Sequence, residues 1–166
     1  MLFRSEYKQA APLLDAYASI NPSDRLYILL RARTALESAK DRSAAMDALR
    51  RGLESYPDDM EMMLYAAEVF SGGDSKDKAE SVAYAKKALA ADPGAVRALK
   101  VLLSADLAAG NFDSASSRAD AIIATGADFT DTESLYRAYR GAGRLVDASR
   151  LAQEWRARDQ IGRAHV

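Results

Sequence analysis

Gly110-Asn111-Phe112-Asp113-Ser114-Ala115-Ser116-Ser117-Arg118-Ala119 is the stretch that decides the fold. A Gly-Asn pair closes one helical segment, and Phe112, Ala115 and Ala119 then resume at helical spacing. Ala115 belongs to a series of small residues. Ala10, Ala45, Ser81, Ala115 and Ala148 are separated by 35, 36, 34 and 33 residues. Pro22, Pro57 and Pro93 keep nearly the same interval. A period of this length marks stacked helical repeats, each unable to bury its apolar face alone.

Apolar spacing is helical along the whole chain and no segment alternates as a strand would. The pattern predicts helices over 5–20, 24–38, 42–55, 59–71, 76–91, 95–109, 112–125, 131–142 and 145–158. Asn21-Pro22-Ser23, Tyr56-Pro57-Asp58-Asp59 and Asp92-Pro93-Gly94 separate repeats. Ser71-Gly72-Gly73-Asp74, Gly110-Asn111 and Gly141-Ala142-Gly143 are turns inside a helix pair. Asp58 with Glu61, and Thr130 with Glu133, have capping-box spacing. Connections this short make neighbouring helices antiparallel.

These hairpins resemble the tetratricopeptide repeat family, whose 34-residue unit runs W-x2-L-G-x2-Y, then A-x3-F, then P. The second-helix half is carried by Ala10-x3-Leu14, Ala45-x3-Leu49, Ser81-x3-Ala85, Ala115-x3-Ala119 and Ala148-x3-Ala152. The first-helix half is carried by Met63-x2-Ala66-Ala67-x2-Phe70 and Leu29-x2-Ala32-Arg33-x2-Leu36. Leu99-x2-Leu102-Leu103-x2-Asp106 and Leu135-Tyr136-x2-Tyr139 follow it more loosely. The resemblance implies an all-α, right-handed α-solenoid of antiparallel helix hairpins with about four and a half repeats. It covers residues 2–159: a partial repeat 2–22, then repeats 23–57, 58–93, 94–127 and 128–159. Insertions are expected around Gly72–Lys78. Pro12 falls inside the first predicted helix, where it is costly unless the helix starts near it. Tyr17, Ile122 and Trp155 stand where Gly52 and Ala88 are small, which predicts wider contacts and uneven curvature.

Composition narrows the chemistry. Of 166 residues, 49% are hydrophobic and 28% charged, and about one in five is alanine. The net charge of −1 gives no general basic field for nucleic acid. No apolar run approaches a membrane span, and the start MLFRSEYKQ lacks the apolar core of a signal peptide. Cysteine is absent and His165 is the single histidine. No triad, zinc-ligand set or imidazole base can then be assembled. Ser71-Gly72-Gly73-Asp74-Ser75-Lys76 lacks phosphate-loop spacing and reads as a helix stop. Asp58, Asp59 and Glu61 cluster at a helix N-terminus, where carboxylates simply stabilise. Met60, Met63, Tyr136 and Tyr139 read as inter-helix core. The expectation is a chain with no catalytic residue, cofactor or metal site of its own.

Both ends read as cut. The segment before Pro22 is a second helix without a first, and Ile161-Gly162-Arg163-Ala164-His165-Val166 looks like a translated short-read sequencing adapter. Residues 160–166 are therefore expected to be a non-native tail on a fragment of a longer bacterial protein, cytoplasmic or periplasmic.

In tetratricopeptide arrays the first helix of each pair lines the concave face. The resemblance places Tyr27, Leu30 and Thr34 there, then Glu61, Leu64, Tyr65 and Glu68. Arg97, Lys100 and Ser104 follow, then Glu133, Arg137 and Arg140. The implied function is a scaffold that binds a peptide or helix of another protein, with self-association through exposed repeat ends. The alternative is a recruiting domain of an enzyme of peptidase, glycosyltransferase or sulfotransferase type. The Lys-Asn-Arg clamp of the family's chaperone-binding members is not recognisable, because Asn21 and Asn111 both lie in turns. Nucleic-acid binding fits less well, since Glu61, Glu68 and Glu133 interrupt any basic stripe.

Overall fold

Residues 12–126 and 129–164 are described by the computed structural model, and every regular element among them is helical. Helix α1 covers residues 12–18. It is followed by α2 (Arg25–Thr34), α3 (Arg42–Ser55), α4 (Met60–Phe70) and α5 (Ser75–Ala91). Then come α6 (Val96–Ala109), α7 (Phe112–Ala124), α8 (Phe129–Gly141) and α9 (Leu145–Ala164). Ala10, residues 5–11 of the first predicted helix, and His165 lie outside the described residues, as do the side chains of Thr130 and Trp155. Two boundaries differ from expectation. Helix α8 begins at Phe129, ahead of Thr130, so Thr130 is not its N-cap. Helix α9 continues to Ala164, past the predicted end at 158.

The chain forms two compact units, Met1–Ala88 and Leu89–Val166. In the first, α3 packs against both α2 and α4. Ala45, Leu49, Met62, Ala66, Ala67 and Phe70 are fully buried there. The small residues allow the close approach. A Cβ on Gly52 would lie 2.7 Å from Ile28 Cγ2 and 3.0 Å from Met62 Sδ, so α3 leaves no room there for a larger side chain. Ser81 takes the small-residue position of α5. It is buried, and its hydroxyl donates to the Ala67 carbonyl of α4 at 2.5 Å, which satisfies the one polar group the position introduces.

Two of the longer intervals coincide with a departure from regular helix. The Ala10–Ala45 interval exceeds the 34-residue unit by one, and α2 ends in a π-helical turn, Ala35–Ala39, closed by Lys40 at φ 57°. A π turn holds one more residue than an α turn, so the extra residue is absorbed without displacing α3. The longer Ala45–Ser81 interval is absorbed at Ser71–Asp74. There Asp77 N–H donates to Asp74 Oδ1 at 2.9 Å and Asp74 N–H to Asp77 Oδ2 at 3.1 Å, a reciprocal cap on α5.

Aspartates also cap the preceding helices. Asp24, Asp41 and Asp59 accept from the N–H of Tyr27, Ala44 and Met62 at 2.8, 2.9 and 2.9 Å. The cap of α4 is thus Asp59 and not the expected Asp58. Asp58 sits on the turn, 90% exposed, 3.1 Å from Lys87 Nζ. Asp59 is additionally held by the guanidinium of Arg25. Burial pushes the Asp59 carboxyl up, but the bonds from Arg25 and Met62 N–H outweigh it, and the group lies below the usual aspartate range. A depressed folded pKa means stability that is present above the unfolded value of about 3.9 and lost as pH falls through the folded pKa. Asp59→Ala is expected to cost about 1–2 kcal/mol at pH 7 in urea melts. That difference should shrink below about pH 4.

In the second unit, α6 pairs with α7 and α8 with α9, and α6 also touches α8. One cluster unites Leu99 and Leu103 of α6, Ala119 and Ile122 of α7, Leu135 and Tyr139 of α8, and Ala148 and Leu151 of α9. Ala115 is fully buried. Gly110, at φ 76°, lets the Asn111 N–H reach the Asp106 carbonyl at 2.8 Å, and α7 can then start at once. Ile122, larger than Gly52 or Ala88, is accommodated without exposure. Tyr17, at the equivalent site of the first unit, stays partly exposed and meets the Tyr27 ring at 6.0 Å.

Candidate functional site

The predicted partner-facing residues fall on the first helices of the hairpins: α2 and α4 in one unit, α6 and α8 in the other. On α2, Tyr27 and Leu30 are half-buried, with an exposed edge. Thr34 does not reach the surface. It is 6% exposed and its Oγ1 has no hydrogen-bond partner. The physical reason lies one residue earlier. Arg33 stands where α4 has the fully buried Ala67, and a guanidinium is too costly to bury between two helices. Arg33 lies at the surface, Thr34 turns inward, and the expected partner contact at Thr34 is lost.

Arg33 is instead a residue of the face that the sequence reading missed. Its Nη2 is 2.9 Å from Glu61 Oε1, and its guanidinium lies 5.5 Å from the centre of the Tyr65 ring. The three side chains hold one another across α2 and α4, with Leu64 half-buried and Glu68 exposed on the same helix. Leu26, 60% exposed, adds an apolar side chain next to Tyr27. The signal for Arg33 was legible, since an arginine replaced the small residue of the Ala-Ala pair. Leu26 carried no such signal. Leu13 and Ile20 are exposed in the same unit, and Leu145 and Val146 in the other.

On α6, Arg97 and Lys100 are half-buried and Ser104 is exposed. On α8, Arg137 Nη2 meets Glu133 Oε1 at 2.6 Å, and the Arg140 guanidinium lies 5.9 Å from the Tyr136 ring centre. Glu133, Tyr136, Arg137, Arg140 and Gly141 line one shallow open depression. Of the four residues read as core, Met63 and Tyr139 are buried while Met60 and Tyr136 are half-buried. Tyr136 therefore belongs to the face as much as to the core.

Among the described residues no group of three or more acidic or histidine side chains is placed to hold a metal ion. No helix among them is long and apolar enough to cross a membrane. What these faces offer is shape, aromatic edges and paired charges, the means by which a protein surface recognises a chain segment.

No family model and no curated protein sequence matches the chain. Solved structures do. One is PilW, described as a widely conserved type IV pilus biogenesis factor, with a TM-score of 0.77 and 26% identity over 94% of this chain and 71% of that one. Another is MamA, with a TM-score of 0.77 and 15% identity over 96% of this chain and 92% of that one. Both are helical-repeat proteins of the tetratricopeptide type, and this chain has their all-α solenoid fold.

Proposed function

We propose that this chain is a protein-interaction repeat domain whose first-helix faces, concave in arrays of this type, hold an extended peptide or a helix of a partner protein. The observation that carries the reading is the α2/α4 face. Aromatic and apolar side chains (Leu26, Tyr27, Leu64, Tyr65) reach its surface beside an Arg33–Glu61–Tyr65 set that is already ordered. Ordering side chains before binding reduces the entropic cost of association. The likeness to PilW, a pilus biogenesis factor, is consistent with a role in assembly.

The test is selection of peptides from a random display library, followed by affinity measurements on variants. Leu26→Glu and Tyr65→Ala are each expected to weaken selected peptides about tenfold, the size of one lost anchor. Lys86→Glu, on the exposed side of α5, should leave affinity unchanged. Binding insensitive to Leu26 and Tyr65 but abolished at Lys86 would place the site on the second helices and overturn the reading.

A further inference from the structure

We infer that the stripe of α9 formed by Leu145, Ser149 and Gln153 is a homodimer interface. The same helix of a second copy lies on it antiparallel, with Ser149 at the two-fold axis. The inference concerns a second helix and goes beyond the reading of the first-helix faces.

Equivalent positions elsewhere in the chain show what this stripe receives. Counted from the small residues Ala45, Ala115 and Ala148, the positions three before, one after and five after are spaced by four and share one side of each second helix. On α3 they are Arg42, Met46 and Arg50. The following hairpin engages both ends of this set. The Arg42 guanidinium lies against Gly72, where a Cβ would collide with it. Arg50 binds Glu80 at 2.9 Å and Asp77 at 2.7 Å, and Met46 between them is buried. On α7 the set is Phe112, Ser116 and Asp120, and again the following hairpin engages it. The Arg144 guanidinium lies 4.2 Å from the Phe112 ring centre, and Arg150 reaches Ser116 at 3.0 Å and Asp120 at 3.1 Å. On α9 the set is Leu145, Ser149 and Gln153, and all three are exposed. With Val146 and Arg150 they line a shallow open depression. The side of α9 that on α3 and α7 takes a helical hairpin is thus uncovered among the described residues, and it continues the contact by which repeats stack.

Charge selects the occupant. The same set carries Arg42 and Arg50 on α3, Lys78 and Lys86 on α5, and Asp120 on α7, whereas on α9 it carries no charge. Two copies of a charged stripe repel one another, and two copies of this one do not. The charged side chains of α9 up to Arg156 are accounted for. Asp147 is bound by Arg144 at 2.6 Å, and Arg150 is bound by Asp120 and Glu154, both at 3.1 Å. Arg156 is exposed, about two turns beyond Ser149 on the same side, and it fixes the orientation. A parallel pair would set the two Arg156 side chains next to each other. An antiparallel pair centred on Ser149 sets them about 21 Å apart along the axis, beyond the reach of screened charges. It also lays Leu145 on the aliphatic stem of Gln153 from the other copy, and the small Ser149 lets the two helix axes approach. The contact is isologous and closes at two copies.

The test uses the full chain, which has no cysteine of its own. Sedimentation equilibrium between about 5 and 500 μM, the range in which a small interface acts, is expected to show the mass rising toward twice that of the monomer. Leu145→Glu, and separately Gln153→Glu, should hold the chain at monomer mass throughout. Their thermal melts should stay unchanged, since both residues are exposed. Ser149→Cys should form an intermolecular disulfide under mild oxidation at least about tenfold faster than Ser117→Cys, exposed on α7, because the bond needs Cα atoms within about 7 Å. A chain still monomeric at the highest concentration would overturn the inference. Association that survives both glutamate variants, or a mass that climbs past the dimer, would overturn it too. Equal disulfide rates at positions 149 and 117 would do the same. Each of these results leaves peptide binding by the first helices standing.

Discussion

Phe70→Ala is expected to destabilise the chain by about 3–5 kcal/mol, the usual cost of emptying a fully buried aromatic site. Phe70 closes α4 and is completely buried. Its ring meets Tyr84 of α5 edge-on at 5.8 Å, and the Arg50 guanidinium of α3 lies 4.8 Å from its centre. Arg50 in turn binds Glu80 at 2.9 Å and Asp77 at 2.7 Å. These bonds, Glu80 first, raise the Arg50 pKa against the opposing effect of burial. Three helices therefore converge on one ring, and its loss leaves both a cavity and a cation without its aromatic face. Equilibrium urea unfolding reads the effect directly. Phe70→Leu, which keeps much of the volume, should recover more than half of the loss. A Phe70→Ala variant within 1 kcal/mol of wild type, to the nearest order about the effect of a surface change, would mean that α3, α4 and α5 do not meet there.

The second large effect is expected from Ala115→Trp, about 1–3 kcal/mol through overpacking. Ala115 marks the repeat interval in the second unit and is fully buried where α7 enters its hairpin with α6. An indole there must push the two helices apart. Ser117→Trp, two residues on and exposed, should stay within about 0.5 kcal/mol of wild type. Comparing the two melts separates a close helix contact from the general burden of a tryptophan. Equal melts would mean that the small-residue series does not mark the contacts between helices.

Much of this architecture was legible because small residues report on geometry. Ala45, Ser81, Ala115 and Ala148 are all buried, as a helix contact at each interval requires. The long interval showed that residues are added around Gly72–Lys78, though not how, and nothing in the spacing located the added residue after Thr34. A π turn after Thr34 and a capped glycine turn after Ser71 are two solutions to the same problem, and spacing alone does not choose between them. The cap of α4 was misplaced by one residue because Asp58 and Asp59 are chemically alike. Asp59 takes the Met62 N–H and the guanidinium of Arg25, 34 residues earlier, while Asp58 stays on the turn beside Lys87. Thr34 was misread for a related reason: the family's spacing puts that position on the surface, but Arg33 beside it outranks spacing. The face residues of α6 and α8 were readable as charges, while the partner of a nearby acid was not. Asp106 lies on α6 yet is bound to Arg118 on α7.

The most direct test of the central claim, that partner segments are held by the first helices of the hairpins, is amide chemical-shift mapping. The 15N-labelled chain would be titrated with a library-selected peptide. The account predicts that perturbed amides cluster within residues 26–33 and 61–68, or within 97–104 and 133–140, with the exposed sides of α3, α5, α7 and α9 unchanged. Perturbations confined to those second helices, with the first-helix faces silent, would contradict it.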